Sequence, residues 1–253
     1  MLAVRNLTVS IAGKTVCREL NFAIAPGQCW GVLGQNGAGK STLLRTLAGL
    51  HPAEAGEVVW HDAPISRLPR RELARELGVL GQQDSGEFWG TVEEFVRLGR
   101  FPHRRGLFGF SATDESAVTA ALAAMELADL AQRPLNQLSG GERQRAAIAQ
   151  TLAQQARYLL LDEPLQNLDL RHQAAAMQVF AERQRQGCGL LLVLHDLLWA
   201  QRGCDHLLLL YPDGRAEAGP AADLLTRERL EALYQCRLRE ALVEGGRCFL
   251  PGV

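Results

Sequence analysis

Residues 34–42 read Gly34-Gln35-Asn36-Gly37-Ala38-Gly39-Lys40-Ser41-Thr42. This stretch fits the pattern of a phosphate-binding loop, in which two glycines separated by four residues precede Lys and then Ser or Thr. Before it, Cys29–Leu33 is a short apolar run typical of a strand. After it, leucines recur at helical spacing, at Leu43, Leu44, Leu47 and Leu50. The pattern therefore predicts a strand, a glycine-rich turn and a helix, which is the context that such a loop requires.

The residue types of this loop suit a polyphosphate. Glycines let successive backbone N–H groups converge without Cβ clashes, and the helix that begins near Lys40 adds its positive dipole end. We expect Lys40 to reach the outer phosphates and the Ser41 hydroxyl to ligate Mg²⁺. A glycine turn that binds nothing is the alternative, and the flanking strand and helix argue against it. The expected nucleotide contacts are Gly34, Asn36, Gly37, Ala38, Gly39, Lys40, Ser41 and Thr42.

Composition indicates an ordinary globular protein. The chain has 253 residues, of which 47% are hydrophobic, enough for one domain with a subdomain. A net charge of −1 and a pI near 6.6 argue against bulk electrostatic binding of nucleic acid or anionic membrane. The apolar runs are strand-sized and the N-terminus lacks a signal-peptide profile, so we expect a cytoplasmic protein without a membrane span. The six cysteines are scattered and predict reduced, mostly buried thiols.

The chain divides into segments with different patterns. Residues 1–30 alternate apolar runs with turns, which predicts antiparallel strands, and we expect the strand that ends near Ile11 to lie at a sheet edge. From about Glu87 to Gln144 the pattern is helical. The basic, aromatic loop 101–110 favours a subdomain or protein contact over nucleic-acid stacking. A hairpin over 207–218, short helices and a closing hairpin follow, with no chemical feature that we identify.

Two apolar strands end in groups suited to catalysis. Tyr158–Leu161 precedes Asp162 and Glu163, and Leu190–Leu194 precedes His195. Continuous hydrophobicity predicts parallel strands covered on both faces, and ligands bind at the carboxyl ends of such strands. Asp162 suits Mg²⁺, and Glu163 suits a general base that accepts a proton from water. A structural role for His195 is the alternative to a phosphate contact.

Two further stretches fit either an ordinary structural role or a ligand-binding role. Ser139 and Glu142 form a capping box, but the two glycines between them each cost roughly 1 kcal/mol relative to Ala in a helix, so bare backbone here indicates an anion site. Gln82 and Gln83 follow a short predicted strand, where either a ligand contact or a solvated turn is possible.

Taken in order, these motifs resemble the nucleotide-binding subunit of an ATP-binding cassette (ABC) transporter over nearly the whole chain. The resemblance identifies 34–42 as Walker A, 138–142 as the signature, 158–163 as Walker B and 164–169 as the D-loop. It implies that Glu163, the switch histidine His195 and the Q-loop Gln82 act in catalysis. The implied Mg²⁺ contacts are Ser41, Gln82 and Asp162, and the further nucleotide contacts are Ser139, Gly140, Gly141, Glu142 and Asp169.

The resemblance implies an α/β fold with a P-loop NTPase core, a mainly parallel sheet, an antiparallel β subdomain and an inserted helical subdomain. Residues 1–253 would form one ATPase domain, with the core at 1–86 and 145–215, the helical subdomain at 87–144 and a C-terminal tail at 216–253. ATP and Mg²⁺ are the implied cofactors. The implied partners are a second copy, head to tail, membrane permease subunits and, indirectly, an extracytoplasmic substrate-binding protein. The expected location is the cytoplasmic face of the inner membrane, with no nucleic-acid partner.

Within the family, 80–83 and 96–103 resemble importers for iron–siderophores, haem and cobalamin. An exporter or other-substrate cassette is the first alternative, and a soluble cassette ATPase acting on DNA or ribosomes is the second. A P-loop kinase is disfavoured because the signature would have no role. The chain departs from the family pattern at Gly81, Glu142 and 165–167, and Ile11 stands where an adenine-stacking aromatic residue is common.

Overall fold

The structure, a computed structural model, describes residues 1–81, 88–104, 109–243 and 246–252. The strands are β1 (Leu2–Ile11), β2 (Lys14–Ile24), β3 (Cys29–Gly34), β4 (Ala55–Trp60), β5 (Ala63–Pro64), β6 (Leu77–Leu80), β7 (Tyr158–Asp162), β8 (Gly189–Val193), β9 (His206–Leu210), β10 (Ala216–Pro220), β11 (Leu238–Val243) and β12 (Gly246–Pro251).

Nine α-helices lie within the described ranges, together with 3₁₀ turns at Ile65–Arg67, Leu98–His103, Ala128–Leu130 and Leu135–Gln137. The α-helices are α1 (Lys40–Leu47), α2 (Arg70–Glu76), α3 (Val92–Arg97), α4 (Ala112–Ala124), α5 (Gly140–Ala153), α6 (Leu170–Arg185), α7 (Leu197–Gly203), α8 (Ala221–Leu224) and α9 (Arg227–Tyr234).

A six-stranded sheet in the order β10-β9-β3-β8-β7-β6 forms the centre of the molecule. Its strands are parallel except β10, which forms the predicted hairpin with β9. Every residue of β3, β7 and β8 is buried, because helices including α5 and α6 pack on one face of the sheet, while α1 and the N-terminal strands pack on the other. This arrangement confirms the predicted α/β fold. It also places the carboxyl ends of β3, β7 and β8 at one edge.

The N-terminal strands form a second, antiparallel sheet in the order β2-β1-β4-β5. Most of β1 is an interior strand, because β4 pairs with its other side, but its end near Ile11 lies at the expected sheet edge. That pairing covers only residues 2–8 of β1, so the end of the strand at Ile11 pairs with Lys14 alone. Local sequence could not reveal the position of β1, since β4 lies more than 40 residues further along the chain.

The helices α3, α4 and α5 pack together beside the central sheet. Each begins with a capping box, at Thr91, Ser111 and Ser139. Helix α4 begins at Ala112 because Ser111 caps it and Asp114 reaches back to the Ser111 amide. The predicted boundaries of the helical subdomain stay a prediction.

The chain ends in a small two-stranded sheet, β11 with β12, which confirms the closing hairpin. As expected, most of the thiols are buried, namely Cys17, Cys29, Cys188 and Cys204. No helix in the described ranges is both long and apolar enough to cross a bilayer.

Candidate active site

The loop between β3 and α1 has a backbone shape that its glycines make possible. Gly37 and Gly39 have φ of 75° and 91°, in the left-handed region that favours glycine. A Cβ on Gly39 would lie 2.4 Å from Cγ2 of Val16, so any larger residue there would displace the strand behind the loop. The loop is therefore fixed both by its own geometry and by close packing against β2.

Lys40 is the first residue of α1, and only 6% of its surface is exposed. Its Nζ donates to the carbonyl oxygens of Gly34 and Gln35, at 2.9 and 3.0 Å. Burial lowers the pKa of Lys40, and the charges of Glu163 and Asp162 oppose this shift. The ammonium group is thus held over the phosphate loop and beside two carboxylates.

Asp162 ends β7 as a buried carboxylate that is 3% exposed. Both of its oxygens are buried, and neither accepts a hydrogen bond from a described residue. Burial raises the pKa of Asp162, and the nearby Ser41 hydroxyl opposes the rise. Because an unpaired buried charge is costly, this carboxylate fits a cation. Ser41 and Asp162 therefore suit Mg²⁺, while Gln82, the third expected contact, lies outside the described residues.

Glu163 and His195 meet because they follow the adjacent parallel strands β7 and β8. Nε2 of His195 lies 2.6 Å from Oε1 of Glu163, whose side chain is 13% exposed. Glu163 has φ of 50°, a left-handed conformation that is uncommon for a non-glycine residue and costs energy. Strain of this kind is characteristic of active sites and ligand clamps.

Sequence reasoning missed Gln144, which fixes the backbone that follows β7. Its side-chain amide donates to the carbonyl oxygens of Glu163 and Pro164, at 3.3 and 3.0 Å, from a position that is 7% exposed. The only available signal was a polar residue on the buried face of α5, two residues after the signature stretch.

A cavity of about 810 Å³ opens beside the phosphate loop, Glu163 and His195, and Asp162 is not part of its described wall. Ile11, which is 44% exposed, lines it, and so does Trp199, whose Nε1 donates to Oε1 of Gln173 at 2.9 Å. Trp30 instead stacks on His206 in the interior, with ring centroids 4.7 Å apart. The predicted site residues at the cavity wall are Asn36, Gly37, Gly39, Lys40, Ser41, Thr42, Glu163 and His195.

The signature stretch lies outside the cavity wall formed by the described residues of this one chain. A Cβ on Gly141 would lie 2.9 Å from the carbonyl oxygen of Asn167, so close packing against the D-loop is one reason for this glycine. Glu142 caps α5, and the hydrogen bond from the Ser139 backbone lowers its pKa. Asp169 caps α6 by accepting from the amide of His172 at 2.9 Å, and it too lies away from the cavity.

A phosphate loop on a parallel sheet, with a lysine and two carboxylates at the same edge, defines a P-loop ATPase. The sequence profile of the ABC transporter family matches residues 17–166. The chain therefore belongs to that family, and it is an ATPase.

Known relatives agree with this assignment. The hemin import ATP-binding protein of Bordetella parapertussis is 41% identical over 247 residues, which cover 92% of this chain and 91% of that protein. An inward-facing ABC transporter assigned to the metal-chelate type superposes with a TM-score of 0.84 at 29% identity, covering 100% of this chain and 97% of the other. A dimeric cassette bound to ADP and phosphate has a TM-score of 0.76 at 27% identity, covering 87% and 98%.

Proposed function

We propose that this chain binds ATP and Mg²⁺ in the cavity around Lys40 and hydrolyses ATP to drive uptake of a metal chelate through partner permease subunits. The convergence of Lys40, Glu163 and His195 on one cavity, with the buried Asp162 near Lys40, is the observation that carries the proposal. Haem, an iron–siderophore or cobalamin is the proposed class of cargo, supported by the hemin import relative and the metal-chelate type transporter.

Each residue has a distinct proposed task in hydrolysis. The loop amides and Lys40 bind the phosphates, and Ser41, Asp162 and Gln82 would hold Mg²⁺, which neutralises charge on the transferred phosphoryl group. Glu163 accepts the proton of the attacking water. His195 orients Glu163 through the 2.6 Å contact between them.

We further propose that the complete site needs two copies of the chain. In one chain the signature residues Ser139 and Gly141 are not among the residues that line the cavity around Lys40, whereas a head-to-tail partner would bring its signature over the nucleotide. The dimeric cassette with bound ADP and phosphate supports this arrangement by similarity. The pair would be held at the cytoplasmic face of the membrane through permease subunits, with a substrate-binding protein on the far side.

Transport by a reconstituted complex tests the proposal. The full chain is co-expressed with the membrane protein that co-purifies with it, and the complex is placed in vesicles. We expect ATP-dependent uptake of hemin, a ferric siderophore or cobalamin. A matched complex carrying Glu163→Gln should bind ATP and transport nothing. Outward movement of substrate, or uptake of a different class of solute, would contradict the proposed direction or cargo.

A further inference from the structure

The side chain of Gln35 connects the phosphate loop to the end of the chain. Its Nε2 donates to the carbonyl oxygen of Leu233, at 3.1 Å, although the two residues are 198 positions apart. Leu233 is the last residue but one of α9, where helix carbonyls have no partner within the helix. Gln35 therefore satisfies a helix-end carbonyl and ties the phosphate loop to the C-terminal helix.

The backbone carbonyl of Gln35 bonds to the phosphate loop and to Lys40. The carbonyl oxygen of Gln35 accepts from the amide of Ala38 at 3.2 Å and from Nζ of Lys40 at 3.0 Å. The side chain of Gln35 thus points to α9, while its carbonyl shapes the loop and holds the lysine. One residue is therefore bonded to α9 through its side chain and to Lys40 through its backbone.

Helix α9 is a firm anchor for this connection. Leu230 and Leu233 are both 0% exposed and belong to the main core. Oε1 of Glu231 accepts from the amide of Leu238 at 2.7 Å, which fixes the helix to β11. Tyr234 follows Leu233, and burial together with the charge of Asp196 raises its pKa to about 12. The end of α9 therefore lies close to Asp196, the residue after His195, as well as to the phosphate loop.

We propose that Gln35 is a positioning residue through which α9 sets the affinity of the phosphate loop for nucleotide. A tethered loop has less freedom to lose when phosphate binds, so the tether strengthens nucleotide binding. Because the bond does not touch the reacting atoms, it acts equally on the bound ATP and on the transition state. This inference rests on the proposed ATP site around Lys40.

Steady-state hydrolysis by the full-length chain tests the tether. Gln35→Met keeps the length of the side chain and removes the donor. We expect the KM and Kd for ATP to rise roughly three- to tenfold, as for loss of one hydrogen bond, with kcat within about twofold. Gln184→Met is the matched control, because Gln184 also makes a single side-chain tether, to Asp205 at 2.7 Å, away from the cavity. It should keep the parent KM.

A double-mutant cycle asks whether α9 acts through Gln35. Leu233→Ala should raise the KM in the parent and add little in the Gln35→Met background. Leu230→Ala, in the same helix and equally buried, controls for general loosening and should change the KM less. Thermal unfolding checks that each variant is folded, and if Leu233→Ala is not, the comparison of Gln35→Met with Gln184→Met decides.

The outcomes separate the two proposals. An unchanged KM in Gln35→Met, or a fall in kcat alone, overturns the positioning role. Equal effects of Leu233→Ala in both backgrounds show that α9 does not act through Gln35. Normal hydrolysis by Lys40→Ala would instead overturn the ATP site itself.

Discussion

At the scale of single residues, the site is built from charges that the chain buries at some cost. Lys40 keeps an ammonium group in a largely buried position, with two loop carbonyls as its acceptors. Asp162 keeps two carboxylate oxygens without a described donor. Such groups weaken the empty protein and are stabilised when phosphate and a cation arrive. The charges of Lys40 and Asp162 therefore suit a phosphate together with a cation.

We predict that Lys40→Ala abolishes ATP hydrolysis and leaves the chain folded. The ammonium group is bonded to the loop and contributes little to the apolar core, so the melting temperature should change by only a few degrees, about 1 kcal/mol for a chain of this size. Turnover and thermal unfolding are measured on the same preparation. Retained turnover in a folded variant would contradict the assignment.

We predict that Ile11→Tyr tightens ATP binding without raising the maximal rate. Ile11 lies at the cavity and offers apolar contact without a π-face. Base–aromatic stacking is worth about 1–3 kcal/mol in single-strand binders, which corresponds to roughly five- to a hundredfold in affinity. The parent should discriminate weakly between ATP and GTP. An unchanged Kd in the variant, or a strong preference for ATP in the parent, would show that adenine is held elsewhere.

At the scale of elements, the sequence pattern predicted those helices, strands and caps that neighbouring residues determine. The β3–loop–α1 unit, the leucine-rich β7 and β8, and the capping boxes at Thr91 and Ser139 could be predicted because neighbouring residues decide them. Contacts between segments that are distant in the sequence could not be predicted. These include the central position of β1, the approach of Gly141 to Asn167, and the hydrogen bond from Gln35 to α9.

The buried pair between Arg100 and Asp114 joins the helices of the predicted helical subdomain. Nε of Arg100 donates to Oδ1 of Asp114 at 2.8 Å, and its Nη1 donates to the carbonyl oxygen of Ala153 at 2.8 Å. Burial raises the pKa of Asp114, but hydrogen bonds from Ser111 and Arg100 outweigh it and lower the pKa to about 2. Arg100 therefore links the turn after α3 to α4 through an ion pair and to α5 through a hydrogen bond.

We predict that Asp114→Asn lowers the free energy of unfolding at pH 7 by about 3–5 kcal/mol, because it leaves Arg100 buried without its counter-charge. A carboxyl with a depressed folded pKa stabilises the protein above its unfolded value and loses that effect as pH falls towards the folded value. The difference between parent and variant should therefore shrink between about pH 4 and pH 2. Denaturant unfolding across this range measures it. A difference that is constant with pH would contradict the ionic origin.

At the scale of the whole molecule, the cavity of one chain includes the phosphate loop but not the described signature stretch. The phosphate loop opens into the cavity, while the signature at the start of α5 lies elsewhere on the same chain. This separation supports the proposal that a second copy completes the site.

We predict that Glu163→Gln traps ATP between two chains. The amide keeps the shape of the side chain and cannot accept a proton, so chemistry stalls after binding. Sedimentation with ATP and Mg²⁺ should show a dimer for this variant, and the same measurement is made on the permease complex. Adding Ser139→Ala should weaken the trapped dimer, and a variant that stays monomeric in the complex would argue against the two-chain site.

The length of helix α5 and the contacts that it makes have a mechanical consequence. It is a rod about 21 Å long for its 14 residues. At its far end Gln154 donates to the carbonyl oxygen of Leu77 at 3.1 Å, where β6 enters the central sheet. Ser139 stands at the other end. Gln144, nearer to Ser139, donates to the carbonyl oxygens of Glu163 and Pro164, so α5 connects the edge strand β6 to the segment after β7, and a displacement of either would shift Ser139 with it.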